Sequence, residues 1–168
     1  MRGRIPIRIL IISDNHGEQG ISYDAYGRNA GELNVHLGDS EFHYDDTEMS
    51  HFNRVKGNVD GDTRYPVEEY NDESKAFYTH GHFYDIKKTR QILAERAREY
   101  GAKYAFYGHS HIAKAESVDG IYCINPGSIS ESKGQWPESY AVLDTENDIV
   151  SFYDRSHQIL EEVSLTKL

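Results

Sequence analysis

Cysteine is almost missing from this sequence, since Cys123 is the only one among 168 residues. A single thiol excludes an intramolecular disulfide framework, and it leaves no set of thiolates for a structural zinc site. Cys123 lies in the strand-like run Gly-Ile-Tyr-Cys-Ile-Asn. This setting favours a small buried side chain over a reactive thiol.

Long hydrophobic runs are also missing. No apolar stretch approaches the roughly 20 residues that a helix needs to cross a bilayer. The apolar run after the first residues, Met1 to Pro6, is too short for a secretion signal. The sequence therefore predicts a cytoplasmic protein with no membrane partner.

Basic residues are scarce beside acidic ones: 18 Lys and Arg against 28 Asp and Glu give a formal net charge of −10. This balance disfavours a strong nucleic-acid surface or an anionic-membrane surface. It does not exclude a phosphate substrate, because bound metal ions can supply positive charge locally. The length suits one domain, 1–168, and no internal repeat or linker divides it.

The most informative stretch is a short apolar run followed directly by polar residues. Four consecutive aliphatic residues, Ile9 to Ile12, predict a strand buried on both faces. Asp14 and His16 follow at its carboxyl end, where open α/β sheets place ligands. Later predicted strands end in the same way, with Gly38-Asp39, Gly57-Asn58, Thr79-His80-Gly81-His82 and Gly108-His109-Ser110-His111.

The order of elements changes along the chain. Strands over 5–13, 33–37 and 52–56 alternate with connections, of which 18–31 predicts only a short or irregular helix because glycines interrupt it. Hairpins and antiparallel strands are predicted over 65–79, 112–124 and 139–164. The clearest helix is predicted over 86–100, with Asp85 as its N-cap and Gly101 after its end. We expect an α/β (α+β) fold in which two sheets pack face to face with helices outside.

Imidazoles and carboxylates at these strand ends predict a metal centre. Such ligands suit zinc, iron and manganese, whereas calcium takes oxygen ligands. More side chains are present than one tetrahedral ion needs, which suits two ions that share a bridging carboxylate. The seven candidate ligands are Asp14, His16, Asp39, Asn58, His80, His109 and His111.

In order and spacing, these motifs resemble those of the calcineurin-like metallophosphoesterases. The small size, together with Asn58-Val59-Asp60 and Ile124-Asn125-Pro126-Gly127-Ser128, resembles the YfcE-like phosphodiesterases. The resemblance runs from about Arg8 to Ser164. It implies a four-layer α/β/β/α sandwich with the site at the sheet edges.

The resemblance also implies an activity and a role for each ligand. The chain would be a metal-dependent phosphodiesterase in which a metal-bridging hydroxide attacks phosphorus. Two divalent ions would be present, Mn2+ first, with Ni2+, Zn2+ or Fe as alternatives, and a small phosphodiester would be the substrate. Asp14, His16, Asp39 and His111 would hold one ion, and Asp39, Asn58, His80 and His109 the other, with Asp39 as the bridge.

One position departs from the family pattern. In many relatives the residue after this asparagine is a histidine, and that histidine protonates the leaving group. Here Val59 occupies the position. Activated aryl diesters should therefore be hydrolysed faster than alkyl diesters. Asn58 would also contact the phosphoryl group, and His82 would act as a substitute acid, orient the phosphate, or only support its neighbours.

Several alternatives stay open from the sequence. The chain would otherwise be a non-catalytic scaffold on the same fold, as the retromer subunit that resembles this family is taken to be, or a phosphomonoesterase. Trp136 would cover the site or make a contact in a homo-oligomer. For Lys87, Lys88 and Arg90, a solvated helix face is favoured over contact with phosphate.

Overall fold

The computed structural model describes residues 5–168. These residues form eleven strands and two α-helices, with single 3-10 turns at Thr47–Met49 and Leu165–Lys167. The strands are β1 (Arg8–Ile12), β2 (Leu33–His36), β3 (Asn53–Arg54), β4 (Glu68–Asn71), β5 (Ala76–Thr79), β6 (Tyr104–Phe106), β7 (Lys114–Val118), β8 (Ile121–Asn125), β9 (Ser139–Asp144), β10 (Ile149–Asp154) and β11 (Ile159–Ser164). The helices are α1 (Ile21–Asn29) and α2 (Gln91–Glu99).

The strands form two mixed sheets. The first has six strands in the order β11-β10-β9-β1-β2-β3, and the second has five in the order β4-β5-β6-β8-β7. In the first sheet β1, β2 and β3 are parallel, while β9, β10 and β11 add to the other side of β1 as an antiparallel meander. In the second sheet β5, β6 and β8 are parallel.

The alternation of side chains in β1 shows how the layers stack. Ile9 and Ile11 belong to the large core between the two sheets, whereas Leu10 and Ile12 pack under α1 on the outer face. All four are fully buried, as the apolar run predicts. On the other side of the molecule α2 packs on the outer face of the second sheet. One helix on the outer face of each sheet gives the predicted four-layer α/β/β/α sandwich.

The structure differs from the prediction at the start of α2. The helix begins after Arg90, and Asp85 is not its N-cap, because Asp85 has a left-handed φ of 51°. The segment before the helix instead makes two tight turns that bury Ile86 beside Gly81. The end is as predicted: Gly101 has φ 79°, and Gly101 N–H and Ala102 N–H donate to the last carbonyls of the helix in a Schellman motif.

Other element bounds also differ. Strand β1 begins at Arg8 rather than Ile5, and β3 has two residues instead of five. The region 40–51, predicted as a loop, contains the 3-10 turn at Thr47–Met49, which Asp46 caps by accepting from Glu48 N–H. The hairpins and late strands have the predicted types and nearly the predicted bounds. In residues 5–168 no helix has the length and apolar character for a membrane crossing.

Candidate metal centre

The carboxyl ends of parallel strands from both sheets meet at one end of the sandwich. Asp14 and Asp39 follow β1 and β2, and Asp14 N–H donates to the Gly38 carbonyl at 3.0 Å. His80 and Gly108 follow β5 and β6, and Gly108 N–H donates to the His80 carbonyl at 2.9 Å. Paired strands therefore carry their polar loops to the same place, as expected for the end of parallel strands.

Two groups of side chains there have the spacing of metal ligands. The first contains Asp14, His16 and His111, and the second contains Asp14, Asp39 and His80. Within each group, the ligand atoms lie within 4.8 Å of one another. The two groups share Asp14, whereas the family resemblance gives the bridge to Asp39.

Backbone and side-chain contacts fix which nitrogen of each histidine faces the centre. The Nδ1 of His80 lies 2.8 Å from the Leu37 carbonyl, and the Nδ1 of His111 lies 2.6 Å from the Glu131 carbonyl. A carbonyl only accepts, so both Nδ1 atoms carry the hydrogen and both Nε2 atoms present a lone pair. The Nδ1 of His16 is held in the same way by Glu41 at 3.0 Å.

When the imidazoles are neutral, these lone pairs face one another with no hydrogen between them. The Nε2 atoms of His16 and His111 are 3.3 Å apart, and His111 Nε2 lies 3.2 Å from Asp14 Oδ1. Asp14 Oδ1 and His80 Nε2 are buried and have no hydrogen-bond partner among the described residues. Buried acceptors without donors are costly. Divalent cations that accept these lone pairs would satisfy them, so the residues present fit a metal centre.

The pKa shifts show that the carboxylates and the imidazoles stabilise each other's charged forms. Burial alone would raise the pKa of Asp14, but His111, His80 and Ser13 outweigh it and lower the pKa to about 2. Burial would lower the pKa of His80, yet Asp39 and Asp14 reverse this and raise it. The pKa of His111 is raised chiefly by Asp14. Protons and metal ions therefore compete for these nitrogens.

Asn58 and His109 form the outer part of the centre. The Oδ1 of Asn58 lies 3.1 Å from the Nδ1 of His109, and His109 N–H donates to Asp14 Oδ2 at 3.3 Å. Burial, with the nearby His80 as the second cause, lowers the pKa of His109 to about 4. The seven predicted residues thus lie close together: five form the two ligand groups, while His109 and the exposed Asn58 lie beside them.

His82 lies beside this cluster but outside both groups. Its ring centroid is 5.5 Å from that of His80 and 6.2 Å from that of His109. Burial, with His80 as the next cause, lowers the pKa of His82. The shift favours the neutral ring, which is a hydrogen-bond donor and acceptor rather than a strong acid.

Asp60 is a supporting residue whose importance the sequence analysis missed. Its Oδ2 accepts the N–H groups of Asp39 and Gly57, each at 2.8 Å, and its Oδ1 accepts Glu41 N–H at 2.9 Å. One buried carboxylate therefore ties the loop after β2 to the loop before Asn58. The signal in the sequence was its place two residues after the asparagine in Gly-Asn-Val-Asp.

Two further residues position the loops without facing the centre. Ser128 Oγ donates to the Asp14 carbonyl at 2.7 Å and accepts Glu131 N–H at 2.7 Å. Asn125 Nδ2 donates to the Gly108 carbonyl at 3.2 Å and to Ser110 Oγ at 2.9 Å. Both are fully buried, so the Asn-Pro-Gly-Ser loop connects the loop that carries Asp14 to the loop that carries His109 and His111.

The backbone at the centre is strained. Five candidate ligands have a left-handed φ between 43° and 70°, a region that residues other than glycine seldom adopt. Such outliers persist where the surrounding structure holds them, and they cluster at functional sites. These ligands are Asp14, His16, Asp39, His109 and His111.

Four histidines take no part in the centre. His43 is exposed beside Asp62, His51 stacks on Tyr26 with ring centroids 4.2 Å apart, and His157 bonds Tyr140. His36 is buried in β2, where its Nδ1 accepts Gly38 N–H and its Nε2 lies 3.0 Å from Asn15 Oδ1. His36 therefore fixes the backbone of Gly38, directly before Asp39, and contacts the loop after β1.

Trp136 does not cover the centre. Its indole ring packs on the core between the sheets, with its centroid 6.1 Å from that of Phe152.

Comparison with known proteins agrees with this geometry. Residues 7–148 match the sequence profile of the calcineurin-like phosphoesterase superfamily domain. A probable metallophosphoesterase, YsnB of Bacillus subtilis, is 37% identical over 163 residues, which cover 94% of this chain and 96% of that protein. The phosphodiesterase YfcE of Escherichia coli is 32% identical over 95 residues, or 56% of this chain and 47% of YfcE.

A solved structure has the same fold over nearly the whole chain. The crystal structure of a predicted phosphoesterase from Streptococcus pneumoniae superposes with a TM-score of 0.87 at 30% identity. The match covers 96% of this chain and 99% of the other. The profile match, the relatives and the fold agree, and this chain belongs to the calcineurin-like phosphoesterase superfamily.

Proposed function

We propose that this protein is a metal-dependent phosphodiesterase, with a dinuclear centre held by the seven ligands. The observation that carries the proposal is the convergence of lone pairs from His16, His80 and His111 on Asp14. Two ions are favoured over one because the two ligand groups overlap only at that carboxylate. Bound divalent ions, Mn2+ first among them, would lower the pKa of water and neutralise phosphoryl charge.

The chain's own residues hold this arrangement in place. The carbonyls of Leu37 and Glu131 orient two imidazoles, and Asp60 fixes the backbone of Asp39. Such supporting contacts hold ligands in a productive geometry before substrate arrives. Asn58 and His82 are the polar side chains left at the edge of the centre to contact a phosphoryl oxygen.

The preference for diesters is a finer part of the proposal. It draws on the phosphodiesterase named among the relatives and on Val59, whose side chain cannot donate a proton. Enzymes without a leaving-group acid depend on good leaving groups, so aryl diesters are the expected assay substrates. A cytoplasmic location and a homo-oligomer stay predictions.

The test begins with metal-depleted protein. Turnover of bis-4-nitrophenyl phosphate and of 4-nitrophenyl phosphate would be measured with Mn2+, Ni2+, Zn2+ or Fe2+ added in turn. We expect metal-dependent turnover, with the diester faster than the monoester. His111→Ala should lose at least about 100-fold in kcat/KM. His51→Ala, which removes an exposed histidine remote from the centre, should stay within about twofold.

The alternatives give different results in the same experiment. Faster hydrolysis of the monoester than of the diester would identify the protein as a phosphomonoesterase. Metal binding without turnover of either ester would support the scaffold. Equal activity of His111→Ala and His51→Ala would show that the cluster is not the active centre.

A further inference from the structure

A groove of about 450 Å3 opens directly beside the metal centre. Ile86, Tyr107 and Ile112 line it, together with Ser110, which lies between the candidate ligands His109 and His111 in the chain. Four basic side chains complete the lining: Lys87, Arg90, Lys114 and Lys133.

The groove and the metal centre share one loop as their common wall. Ser110 lies between His109 and His111, which both belong to the centre, while Ser110 itself lines the groove. Its hydroxyl is fixed by Asn125 Nδ2 at 2.9 Å. On the same loop Lys133 N–H donates to the His111 carbonyl at 3.1 Å. A molecule that reaches the centre over this wall therefore extends into the groove.

Two of the four cations have no carboxylate partner. Arg90 Nε pairs with Glu116 at 2.5 Å, and Lys114 lies 3.8 Å from the same carboxylate. Within residues 5–168, neither Lys87 nor Lys133 forms an ion pair. Two unpaired ammonium groups at one groove are notable in a chain with a net charge of −10.

A second, smaller pocket of about 240 Å3 adjoins the centre, and Glu41, Val59 and Asp62 are among its lining residues. Asp62 is paired with Arg64 at 2.7 Å, whereas Glu41 has no Lys or Arg partner within residues 5–168. An anionic group on the substrate would be repelled by Glu41 and attracted to the unpaired lysines of the groove.

We infer that the substrate is a phosphodiester that carries a second phosphate, and that Lys87 and Lys133 bind this second phosphate in the groove. The inference rests on the proposed phosphodiesterase function and names its substrate class. Two ammonium groups and a hydroxyl suit a phosphate dianion, because charge-assisted hydrogen bonds are strong. The exposed apolar side chain of Ile112 suits the sugar or ring that joins the two phosphates.

Two chromogenic esters that differ only in the second phosphate test this inference. One is the 4-nitrophenyl ester of thymidine 5′-phosphate, and the other carries an additional 3′-phosphate. Both release 4-nitrophenol from the same diester, so their kcat/KM ratio isolates the second phosphate. We expect the native protein to prefer the phosphorylated ester by about tenfold or more.

The adjacent Lys87 and Lys88 supply a matched comparison. Lys87→Ala and Lys133→Ala should each reduce the preference by about three- to tenfold, and together they should abolish it. Both should leave the unphosphorylated ester within about twofold. Lys88→Ala removes the same charge one residue away, at a position that does not line the groove, and should keep the full preference.

A binding measurement separates this inference from the proposed function. Calorimetry would compare thymidine 3′,5′-bisphosphate with thymidine 5′-phosphate on the same proteins. If neither ester is hydrolysed, the phosphodiesterase proposal fails. In that case, tighter binding of the bisphosphate than of the monophosphate still supports phosphate binding in the groove. This holds if Lys87→Ala and Lys133→Ala weaken the binding of the bisphosphate and Lys88→Ala does not. Equal binding of the two nucleotides, or a preference that survives in the double variant, overturns it.

Discussion

At the scale of single residues, Val59 is the clearest functional departure. Its side chain is 49% exposed at the edge of the centre, and its N–H donates to Asp39 Oδ1 at 2.9 Å. Val59→His should restore a leaving-group acid and raise kcat/KM for an alkyl diester by about tenfold or more, with a smaller effect on an aryl diester. Steady-state rates on a matched alkyl and aryl pair measure this.

The control for that substitution is another exposed aliphatic residue. Ile5 is 72% exposed and precedes β1, at the end of the strand opposite the metal centre. Ile5→His should change neither rate. An equal gain on both esters, or equal rates of the native protein on alkyl and aryl diesters, would contradict the role given to the missing acid.

His36 gives a prediction about stability and pH. Burial is the main cause that lowers its pKa from 6.5 to about 4. Between these values the unfolded chain binds a proton that the folded chain does not, so stability falls as the pH drops through this window. The loss attributable to His36 is on the order of 2–3 kcal/mol. Urea unfolding of the metal-free protein at pH 7 and pH 4.5 gives the total change, to which His109, with its pKa also lowered to about 4, contributes in the same window. The share of His36 is the part that a variant without this imidazole loses.

The comparison variant is His36→Gln, which keeps one donor and one acceptor. It should be less stable than the native protein at pH 7, yet its stability should depend less on pH over this window. Asp14 does not confuse the measurement, because its lowered pKa of about 2 affects stability only below pH 3.8. The same pH slope in both proteins would assign the effect to other groups.

Residue type and order were enough to predict which residues lie together at the candidate centre, but not the residues that hold them in place. Asp14 and His111 follow apolar strands, so their place at the sheet edge was visible in the sequence. Two of the three backbone contacts of Asp60 were not visible, because they reach Asp39 and Glu41, which lie 21 and 19 residues away along the chain. Nor does any local pattern show that ligand residues adopt left-handed φ, since the whole fold imposes that strain.

At the scale of elements, the glycine in α1 and the glycine before Asn58 differ in the space around them. Gly27 lies inside α1 with nothing within 4 Å of an added Cβ, whereas a Cβ on Gly57 would lie 2.0 Å from Asp39 Oδ1. Gly27→Ala should therefore stabilise the protein by about 0.5–1 kcal/mol at unchanged activity. Gly57→Ala should displace Asp39 and reduce kcat/KM by at least about 100-fold. Thermal unfolding and kinetics on both variants measure this.

The two outcomes check each other, because both substitutions add the same methyl group. A stabilised but inactive Gly27→Ala would mean that α1 takes part in activity. A fully active Gly57→Ala would mean that the position of Asp39 does not matter.

Element types were predicted better than element bounds. The Asp119-Gly120 hairpin and the end of α2 at Gly101 follow from local turn chemistry, in which glycine accepts a left-handed φ. The start of α2 depends on tertiary packing instead. Arg90 binds the Ile86 carbonyl at 3.0 Å and pairs with Glu116 of β7, and these contacts do not follow from helical periodicity.

At the scale of the whole molecule, the four layers follow from the burial of β1 on both faces. Its inner residues join the core between the sheets and its outer residues pack under α1, so one strand belongs to two apolar clusters. Hydrophobic patterning predicts such stacking. It does not predict strand order, since β9 reaches β1 only after more than 120 residues of chain.

The last prediction joins the centre to the stability of the whole fold. The ligands come from loops of both sheets, so ions that bind only the folded chain should stabilise the entire sandwich. At Mn2+ about 100-fold above its dissociation constant, the gain is about 2.7 kcal/mol. For a chain of this length that raises Tm by about 5–10 °C. Far-UV circular dichroism and the fluorescence of Trp136, which packs between the sheets, should report one transition.

Two changes should remove this gain for different reasons. Asp39→Ala should abolish it at every pH, because it removes a carboxylate that lies 3.1 Å from His80 Nε2. Lower pH should weaken it in the native protein, because Asp14 and Asp39 raise the pKa of His80 and Asp14 raises that of His111, so protons displace the metal. A gain in Tm that is equally large with Asp39→Ala would show that Mn2+ binds elsewhere, and two separate transitions would show that the sheets do not unfold together.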